Sequence, residues 1–595
     1  MLDLRFSLTA GRIDLSCDEI NAPHLRMLST RFSTSLSLHK TSISIELDDF
    51  LVNLRELARW PSDDVDVRWD SGLLRLVEGN VQDSALVDAR LRAEEVDQLP
   101  APVLPPNWVA PLTQHQTRDL SKLMALNHGA NFSVPGAGKT RASMAIYAAR
   151  RAGGSIERML VVCPKSAFES WAYEAGVCFS GDAITTYVWT GGPPPDVDIL
   201  LVNYERLPNS IPPLITWMKA ASTLLVLDEA HRMKLGSAGA WGSACLTLGP
   251  YATNRLILTG TPAPNGSRDL ESLFSFVWPG QGRAAVQRAV AHEDLSVASR
   301  ALKPLFTRTT KSELNLPPVE VSIRRVDLPP LHREIYDALL GQGKLASASE
   351  AGDMAALGRI LLYLLMAATS PALLAVGSDK HEALPYRVPP YQVPENTSAM
   401  ELLRDLPLYE LNPKYQQVRS IVEKNVARGR KTLIWSTFVR NLKSLERMLA
   451  EFNPALIHGG TINREEELRR FREDPACAVL LSNPATLGEG VSLHHECHDA
   501  VYVDRDFSAG RFLQSLDRIH RLGLAPSTIT KITVLAASGT IDEIVEDRLA
   551  RKLEFMGGIL DDPNVRVLGD LEEEVDESVG MDMSDLAAFT TYLNR

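Results

Sequence analysis

The sequence predicts an α/β protein built from two tandem units of buried strands and flanking helices, and three observations carry that prediction. First, short and almost unbroken apolar runs recur at residues 159–163 (MLVVC), 199–202 (ILLV), 223–228 (TLLVLD) and 255–259 (RLILT), separated by helix-length segments. Runs of that length, bounded by turn residues, are the pattern of strands covered on both faces in a parallel sheet. Second, another set follows at 432–436 (TLIWS), 478–482 (AVLLS), 500–504 (AVYVD) and 532–535 (ITVL). Third, the stretch between the sets changes character. Residues 329–375 are rich in Leu, Ala and Met and read as helices, whereas 377–413 hold six prolines and read as a connection.

Taken in order, residues 1–105 form a small N-terminal α+β accessory domain. LRFSLTAGRIDLS and TSISIELDDF alternate with period two, as strands of a half-buried sheet do, residues 49–58 open a helix, and LLRLVEG is a further short strand candidate. The proline-rich LPAPVLPPNW closes this domain. The first α/β unit covers 107–322, a helical insertion and linker 323–413, the second α/β unit 414–560, and an acidic tail (LEEEVDE at 571–577) 561–595.

Composition narrows the function classes. The 595 residues are 45% hydrophobic and 23% charged, which excludes a disordered or fibrous chain. With 62 Lys and Arg against 74 Asp and Glu the net charge is −12, so contact with nucleic acid requires a local basic surface. Six cysteines without a C-x-x-C pair point to a reducing compartment and away from a disulfide scaffold or zinc finger. The most apolar stretch, 360–376, is interrupted by Thr369, Ser370 and Pro371, and the N-terminus lacks a basic patch before an apolar core. No membrane span or signal peptide is therefore expected, and the expected location is cytoplasmic.

The sharpest chemical signal is Pro135-Gly136-Ala137-Gly138-Lys139-Thr140 at the start of a helical stretch. Glycines let backbone N–H groups wrap a phosphate, and a helix N-terminus adds further donors. Lys139 is placed to reach terminal phosphates and Thr140 to ligate Mg2+. A strict phosphate loop has glycine where this chain has Ser133. Asp228 and Glu229 end an apolar strand farther along, with another buried strand between. Asp228 suits Mg2+, and Glu229 suits polarisation of an attacking water. Alone, either signal has a plain structural alternative, a glycine turn or a solvated strand end; together they are far more specific. Arg518 and Arg521, three apart, share one face if they lie on a helix. His494, His495, Cys497 and His498 are too closely spaced to face one metal ion from a regular element, and read as a polar loop.

On these motifs the chain resembles the SWI/SNF family of DNA-stimulated ATPases, within the superfamily-two helicase-like proteins. The resemblance covers roughly residues 108–560, in order. PLTQHQTRDL matches the Q motif, SVPGAGKT motif I, VVCPKSAFESWAYE motif Ia, LLVNYERL motif Ib and LDEAH motif II. RLILTGTPAPNGSRDLESLFSFVWP is similar to motif III and its extension, and FTRTTKSELNLPP to the basic stretch between lobes. TLIWSTFVRNLKSLERML, IHGGTINREEELRRF, NPATLGEGVSLHHECHDAVYVDRDF and QSLDRIHRLG are similar to motifs IV, IVa, V and VI, and TIDEIVEDRLARK to the closing brace. Departures at Phe132, Ser133 and Val134, at Ser492, and at Leu524 after Gly523 favour a compact prokaryotic relative over a chromatin remodeller.

The resemblance implies two RecA-like lobes of the P-loop NTPase class with ATP in the cleft between them. It implies nucleotide contacts from Gln116, Pro135, Gly136, Ala137, Gly138, Lys139, Thr140, Gly490 and Gln514, with Mg2+ on Thr140 and Asp228. Lys139, Glu229, Arg518 and Arg521 are the implied catalytic set, the arginines stabilising charge on the γ-phosphate. Lys165, Tyr204, Arg206, Thr259, Thr261, Asn265 and Thr486 are implied nucleic-acid residues, with the two motif III threonines coupling nucleotide state to the track. The expected partner is double-stranded DNA, with protein partners recruited through residues 1–105 or the acidic tail, and no membrane. The leading function is ATP-driven translocation on duplex DNA, as in motors of bacterial antiphage or restriction-like systems. A strand-separating DNA or RNA helicase, and an ATP-switched sensor or scaffold for a partner nuclease, remain open at this stage.

Overall fold

The computed structural model describes residues 1–7, 11–61, 67–92, 102–181, 184–263, 266–291, 294–317, 319–349, 354–382, 387–391, 411–487, 491, 493–507, 509–521, 524–525 and 527–562. The chain divides into two compact units, residues 1–310 with 558–562, and 311–557 with 563–595.

In the first unit, a five-stranded sheet is formed by β1 (Leu2–Phe6), β2 (Arg12–Cys17), β3 (Leu36–His39), β4 (Ser42–Glu46) and β5 (Val67–Trp69), in the order β3-β4-β2-β1-β5. Its alternation is the expected one. Leu2, Leu4, Ile13, Leu15, Ile43 and Ile45 turn to one face and pack with Leu25, Phe32, Phe50 and Trp60. The expected strand at LLRLVEG is instead part of a long helix, Ser71–Arg92. Its apolar residues fall three and four apart as well as in short runs, and the helical period prevails.

The main sheet of this unit has seven strands: β6 (Gly129–Asn131), β7 (Arg158–Val162), β8 (Thr186–Val188), β9 (Ile199–Val202), β10 (Thr223–Asp228), β11 (Asn254–Leu258) and β12 (Phe306–Thr307). They pair in parallel in the order β12-β6-β11-β10-β7-β9-β8. Four of them, β7, β9, β10 and β11, are the apolar runs of the sequence, and helices on both faces account for their near-continuous burial. In parallel sheets of this kind ligands gather at the carboxyl ends of the strands. Motif I follows β6, motif II ends β10 and motif III follows β11.

The N-terminal domain is built into this unit. Asp48 is half-buried, accepting hydrogen bonds from Gly280 N at 2.7 Å and from the Ser275 hydroxyl. Gly11 N donates to Thr247 Oγ1 at 3.1 Å, and Asn80 donates to Pro279 O at 2.6 Å. Asp83, on the helix Ser71–Arg92, accepts from His128 Nε2 and from Asn127 Nδ2, each at 2.8 Å. His128 Nδ1 accepts from Arg255 N at 3.1 Å, and its Nε2 lies between Asp83 Oδ2 and Arg255 Nη2, which is 2.7 Å away.

The second unit carries six parallel strands: β13 (Val319–Val326), β14 (Lys431–Trp435), β15 (Ala455–Ile457), β16 (Val479–Ser482), β17 (Cys497–Tyr502) and β18 (Thr530–Ala537), in the order β13-β18-β17-β14-β16-β15. The expected boundary at 322/323 cuts through β13, which pairs along its whole length with β18. As an exposed edge strand reading VEVSIRRV it has no buried apolar run to announce it. The expected helices between the strand sets are Pro330–Ser349 and Met354–Thr369. The tail 563–595 lies outside the described residues. Among the described residues no helix is long and apolar enough to cross a membrane, and none of the six cysteines is in a disulfide.

Burial and the adjoining Arg255 charge push His128 from its usual 6.5 down to about 4, against the pull of Asp83. The native state therefore refuses a proton that the unfolded chain accepts, so stability is fully present above pH 6.5 and is lost as pH falls toward 4. That interval corresponds to roughly 3 kcal/mol. Chemical denaturation of the wild type at pH 7 and pH 4 is expected to show a loss of this order, and His128→Gln to flatten it; parallel pH profiles would remove His128 as the cause.

Candidate functional site

The phosphate loop joins β6 to the helix Lys139–Ala152. Gly136 and Gly138 hold φ angles of 86° and 78°, in the left-handed region that favours glycine. A Cβ on Gly138 would stand 2.1 Å from Gln116 Nε2. Gln116 is buried and closes a capping box with Thr113 at the start of the helix Gln114–Met124. Its Nε2 donates to Gly138 O at 3.4 Å, so the Q motif touches the loop directly. The neighbouring His115 adds a contact from Nε2 to Ala137 O at 3.1 Å.

Ser133, the departure from the strict loop pattern, turns its side chain away from the loop. Its hydroxyl donates to Asp119 Oδ2 at 3.2 Å and accepts from Thr309 N at 2.9 Å. Lys139 Nζ donates to Ser133 O at 2.8 Å and Val134 O at 3.4 Å, holding its ammonium across the loop.

Opposite this loop, Asp228 ends a strand whose other residues are all buried. Its Oδ1 accepts from Glu229 N at 3.0 Å, its Oδ2 from Trp171 Nε1 at 2.8 Å, and its backbone carbonyl from the Tyr204 hydroxyl at 2.9 Å. Burial and the Glu229 charge push the Asp228 carboxyl up to about 6. Burial acts to raise Glu229 too, but the His231 hydrogen bond and the charges of His231, Lys139 and Arg232 outweigh it and hold Glu229 low. The pair therefore stays unequal, with Glu229 ionised. Glu229 also sits at φ 48°, a left-handed conformation that costs a non-glycine residue about 1–2 kcal/mol.

His231 links the acids to motif III. Its Nδ1 lies 3.3 Å from Glu229 Oε2 and 3.2 Å from Thr259 Oγ1, and Thr259 Oγ1 accepts from Thr261 N at 3.1 Å. The hydroxyl of Thr140 and the carboxylate of Asp228 offer hard oxygen donors, and a half-buried carboxyl with a raised pKa suits a compensating cation. That donor chemistry fits Mg2+.

Several residues have roles other than those expected. Tyr204 is fully buried with its hydroxyl on Asp228 O, so it braces motif II and presents nothing to a nucleic acid. Thr259 and Thr261 are likewise interior, bonded within motifs II and III. Lys165 and Arg206 are exposed, in the 3-10 turns Lys165–Ala167 and Tyr204–Asn209 that follow β7 and β9. Arg206 also lines a cavity of about 1020 Å3 with Trp189 and Trp217, remote from the phosphate loop in its lining residues. Thr486, in the short helix Pro484–Leu487, is half-buried. Asn265 and Gly490 lie outside the described residues.

In the second unit the helix Ala509–Leu516 ends before Arg518, so the two arginines do not share a helical face. Arg518 is buried, donating from Nε to Gln514 O at 2.9 Å and from Nη1 to Val491 O at 3.0 Å. Gln514 and Arg521 are half-buried. The adjoining His520 contacts Pro317 O at 2.6 Å, and Asp517 pairs with Lys311. Among the described residues no group of three or more His, Cys, Asp or Glu is arranged to hold a metal ion, the 494–498 cluster included.

Sequence reasoning missed three contributors. Trp171 and Asp119 carried no motif of their own beyond their neighbours'. Arg308, in the basic stretch, is buried with Nη1 on the Phe132 and Gly260 carbonyls, and Nη2 is 2.6 Å from Asp562 Oδ2.

Comparison with known proteins follows the same outline. The profile of the SNF2-related domain matches residues 134–369, and that of the helicase conserved C-terminal domain matches 413–523. The chain is 26% identical over 484 residues to the human SWI/SNF-related matrix-associated actin-dependent regulator of chromatin subfamily A member 1, covering 76% of this chain and 44% of that one. It is 23% identical over 470 residues to the TATA-binding protein-associated factor MOT1 of Saccharomyces cerevisiae, covering 68% and 24%. Among solved structures, the Sulfolobus solfataricus SWI2/SNF2 ATPase core in complex with dsDNA is 21% identical, with a TM-score of 0.33, covering 80% of this chain and 100% of that one. The chain belongs to the SNF2-related, helicase-like family, and it spans less than half the length of these curated relatives.

The loop geometry is directly testable. Gly138→Ala forces a left-handed alanine and drives its Cβ into Gln116, a strain of at least ~1–2 kcal/mol, so nucleotide affinity is expected to fall about tenfold or more. Gly153→Ala, at φ −76° with its nearest neighbour 3.5 Å away, is the control and is expected to bind as wild type. Equal affinity of both variants would show that the 136–138 backbone does not hold the nucleotide.

Proposed function

We propose that this chain hydrolyses ATP with Mg2+ under stimulation by double-stranded DNA, and uses the cycle to translocate along the duplex. The observation that carries this reading is the continuous line Asp228–Glu229–His231–Thr259, beside the phosphate loop and within reach of the Lys139 charge. The loop N–H groups and Lys139 bind the phosphates. Thr140 and Asp228 hold Mg2+, which when bound neutralises charge on the β- and γ-phosphates. Glu229, kept ionised by His231 and Lys139, orients and polarises the attacking water. Thr259 reports the state of that acid to motif III through His231.

In this reading turnover also requires Arg521 and Arg518. Arg521 stabilises charge developing on the γ-phosphate, while Arg518 shapes the turn that presents it. Lys165, Arg206 and Thr486 supply phosphate contacts to one DNA strand, so affinity depends on salt and little on sequence. Asn265 joins them on the strength of the motif alone.

ATPase rates with no nucleic acid, single-stranded DNA, duplex DNA and RNA, read beside triplex displacement and strand separation, test the proposal. Duplex DNA is expected to stimulate most, with triplex displaced and no strands separated; equal or greater stimulation by RNA would overturn the DNA assignment.

Glu229→Gln is expected to bind ATP normally and to turn over at least a hundredfold more slowly, the usual scale for a lost general base. Arg521→Ala is expected to lower turnover by roughly a thousandfold, the scale of an arginine finger, with a much smaller change in ATP affinity. Single-turnover hydrolysis and equilibrium nucleotide binding separate the two effects, and a near-wild-type rate in either variant refutes that residue's role.

A further inference from the structure

The helix Phe168–Cys178 follows motif Ia, a stretch that the sequence connects with nucleic acid through Lys165. Its inward face does something different. Trp171 and Glu174, three residues apart, lie on one side of the helix. Trp171 is fully buried, and its single polar group, the indole N–H, donates to Asp228 Oδ2 at 2.8 Å. Glu174 takes Arg141 in a forked pair, with Arg141 Nε 2.9 Å from Oε2 and Nη2 3.3 Å from Oε1. Arg141 directly follows Thr140 at the start of the phosphate-loop helix. One helical face thus grips the strand that ends in Asp228 and the helix that begins at Lys139 and Thr140.

A carboxylate rotates easily about its last torsion, which has broad, roughly two-fold wells. At Asp228 that rotation is stopped on both sides: Oδ1 by Glu229 N, Oδ2 by the indole. Each oxygen keeps a second lone pair, and the carboxylate plane that presents those lone pairs is set by the two donors. Glu229 N comes from the adjoining residue of the same turn, so the partner brought in from another segment is Trp171.

We propose that Trp171 is a positioning residue for the divalent cation, fixing the Asp228 carboxylate, and that the Glu174–Arg141 pair holds Thr140 at the matching distance. This inference rests on the reading of the site as an Mg2+–ATP site. It assigns to the motif Ia helix a second duty, setting how strongly metal adds to nucleotide binding.

The test uses the full chain and a fluorescent ADP analogue, titrated once with saturating Mg2+ and once with EDTA. The ratio of the two dissociation constants isolates the metal's contribution. Trp171→Phe keeps an aromatic ring and removes the donor. It is expected to shrink that ratio about tenfold, the scale of one hydrogen bond to a charged group, while affinity in EDTA stays as wild type. Raising Mg2+ is expected to recover most of the lost turnover, a rescue that general unfolding does not allow. An unchanged ratio, or an equal loss in both titrations, overturns the proposal. Should the Phe variant fail to fold, Glu174→Gln at the half-buried pair is expected to shrink the same ratio several-fold, and an unchanged ratio there overturns it. A wild-type chain that binds no nucleotide in either titration overturns the ATPase reading itself; wild-type binding with an unaltered ratio in the variant overturns only this inference.

Discussion

The molecule is organised around one electrostatic constraint, a carboxylate placed at the end of a buried strand. Asp228 leaves β10 among residues with no access to water, where an ionised group is costly unless donors surround it. Three segments meet that demand. The Trp171 indole comes from the helix after β7, the Tyr204 hydroxyl steadies the Asp228 carbonyl from the turn after β9, and the left-handed Glu229 presents its own N–H. Even so, burial and the adjacent negative charge leave the carboxyl shifted upward. In the reading proposed above, a divalent cation on Asp228 would offset that conflict.

How far this was legible in the sequence depended on the range of the interaction. Gly136, Gly138, Lys139 and Thr140 act through neighbouring backbone, so spacing alone exposed them. Asp228 and Glu229 stood out because an apolar run of strand length ended in two acids. The longer buried strands, β7, β9, β10 and β11 in one sheet and β14, β16, β17 and β18 in the other, were legible for the same reason, while the short β6, β12 and β15 and the exposed, charged edge strand β13 were not. Tyr204, Thr259 and Thr261 were placed on a nucleic-acid surface because their motifs are associated with it. A motif assigns a segment, and the direction of a side chain within it depends on packing that no local pattern encodes. Trp171 and Arg308 were missed on similar grounds, since each reaches a partner tens or hundreds of positions away.

The N-terminal domain illustrates the same limit. The sequence marks it off as an accessory domain closed by a proline-rich segment, and in the structure residues 1–92 share a compact unit with the seven-stranded sheet. Its contacts are with the roots of the functional motifs. Asp83 holds His128, which precedes the strand leading to the phosphate loop, and His128 in turn accepts from Arg255, which lies on the strand leading to Thr259. Asp48 caps Gly280 and binds Ser275, at the end of the helix that extends motif III. A domain without candidate catalytic residues is thereby hydrogen-bonded at the entrances of the two strands that lead into motifs I and III. Because the links are buried and polar, removing one partner leaves the other unsatisfied, which is more damaging than losing an apolar contact of similar size.

Arg308 makes a comparable buried polar link between motifs. Its guanidinium is almost wholly buried, with side-chain exposure of 6%, and its partner Asp562 has 1%. One nitrogen reaches the carbonyls of Phe132, at the entrance to the phosphate loop, and Gly260, between the two motif III threonines. The other is neutralised by Asp562, two residues past the helix Ile541–Leu560. A buried ion pair of this kind contributes little net stability over an apolar replacement, but breaking it strands a charge at a cost of about 3–5 kcal/mol. Its value therefore lies in specificity. Motif I and motif III share one planar cation, and the carboxylate that neutralises it comes from residues 558–562, which belong to the same compact unit. The C-terminal end of the described chain is, by this geometry, a structural part of the nucleotide-binding half.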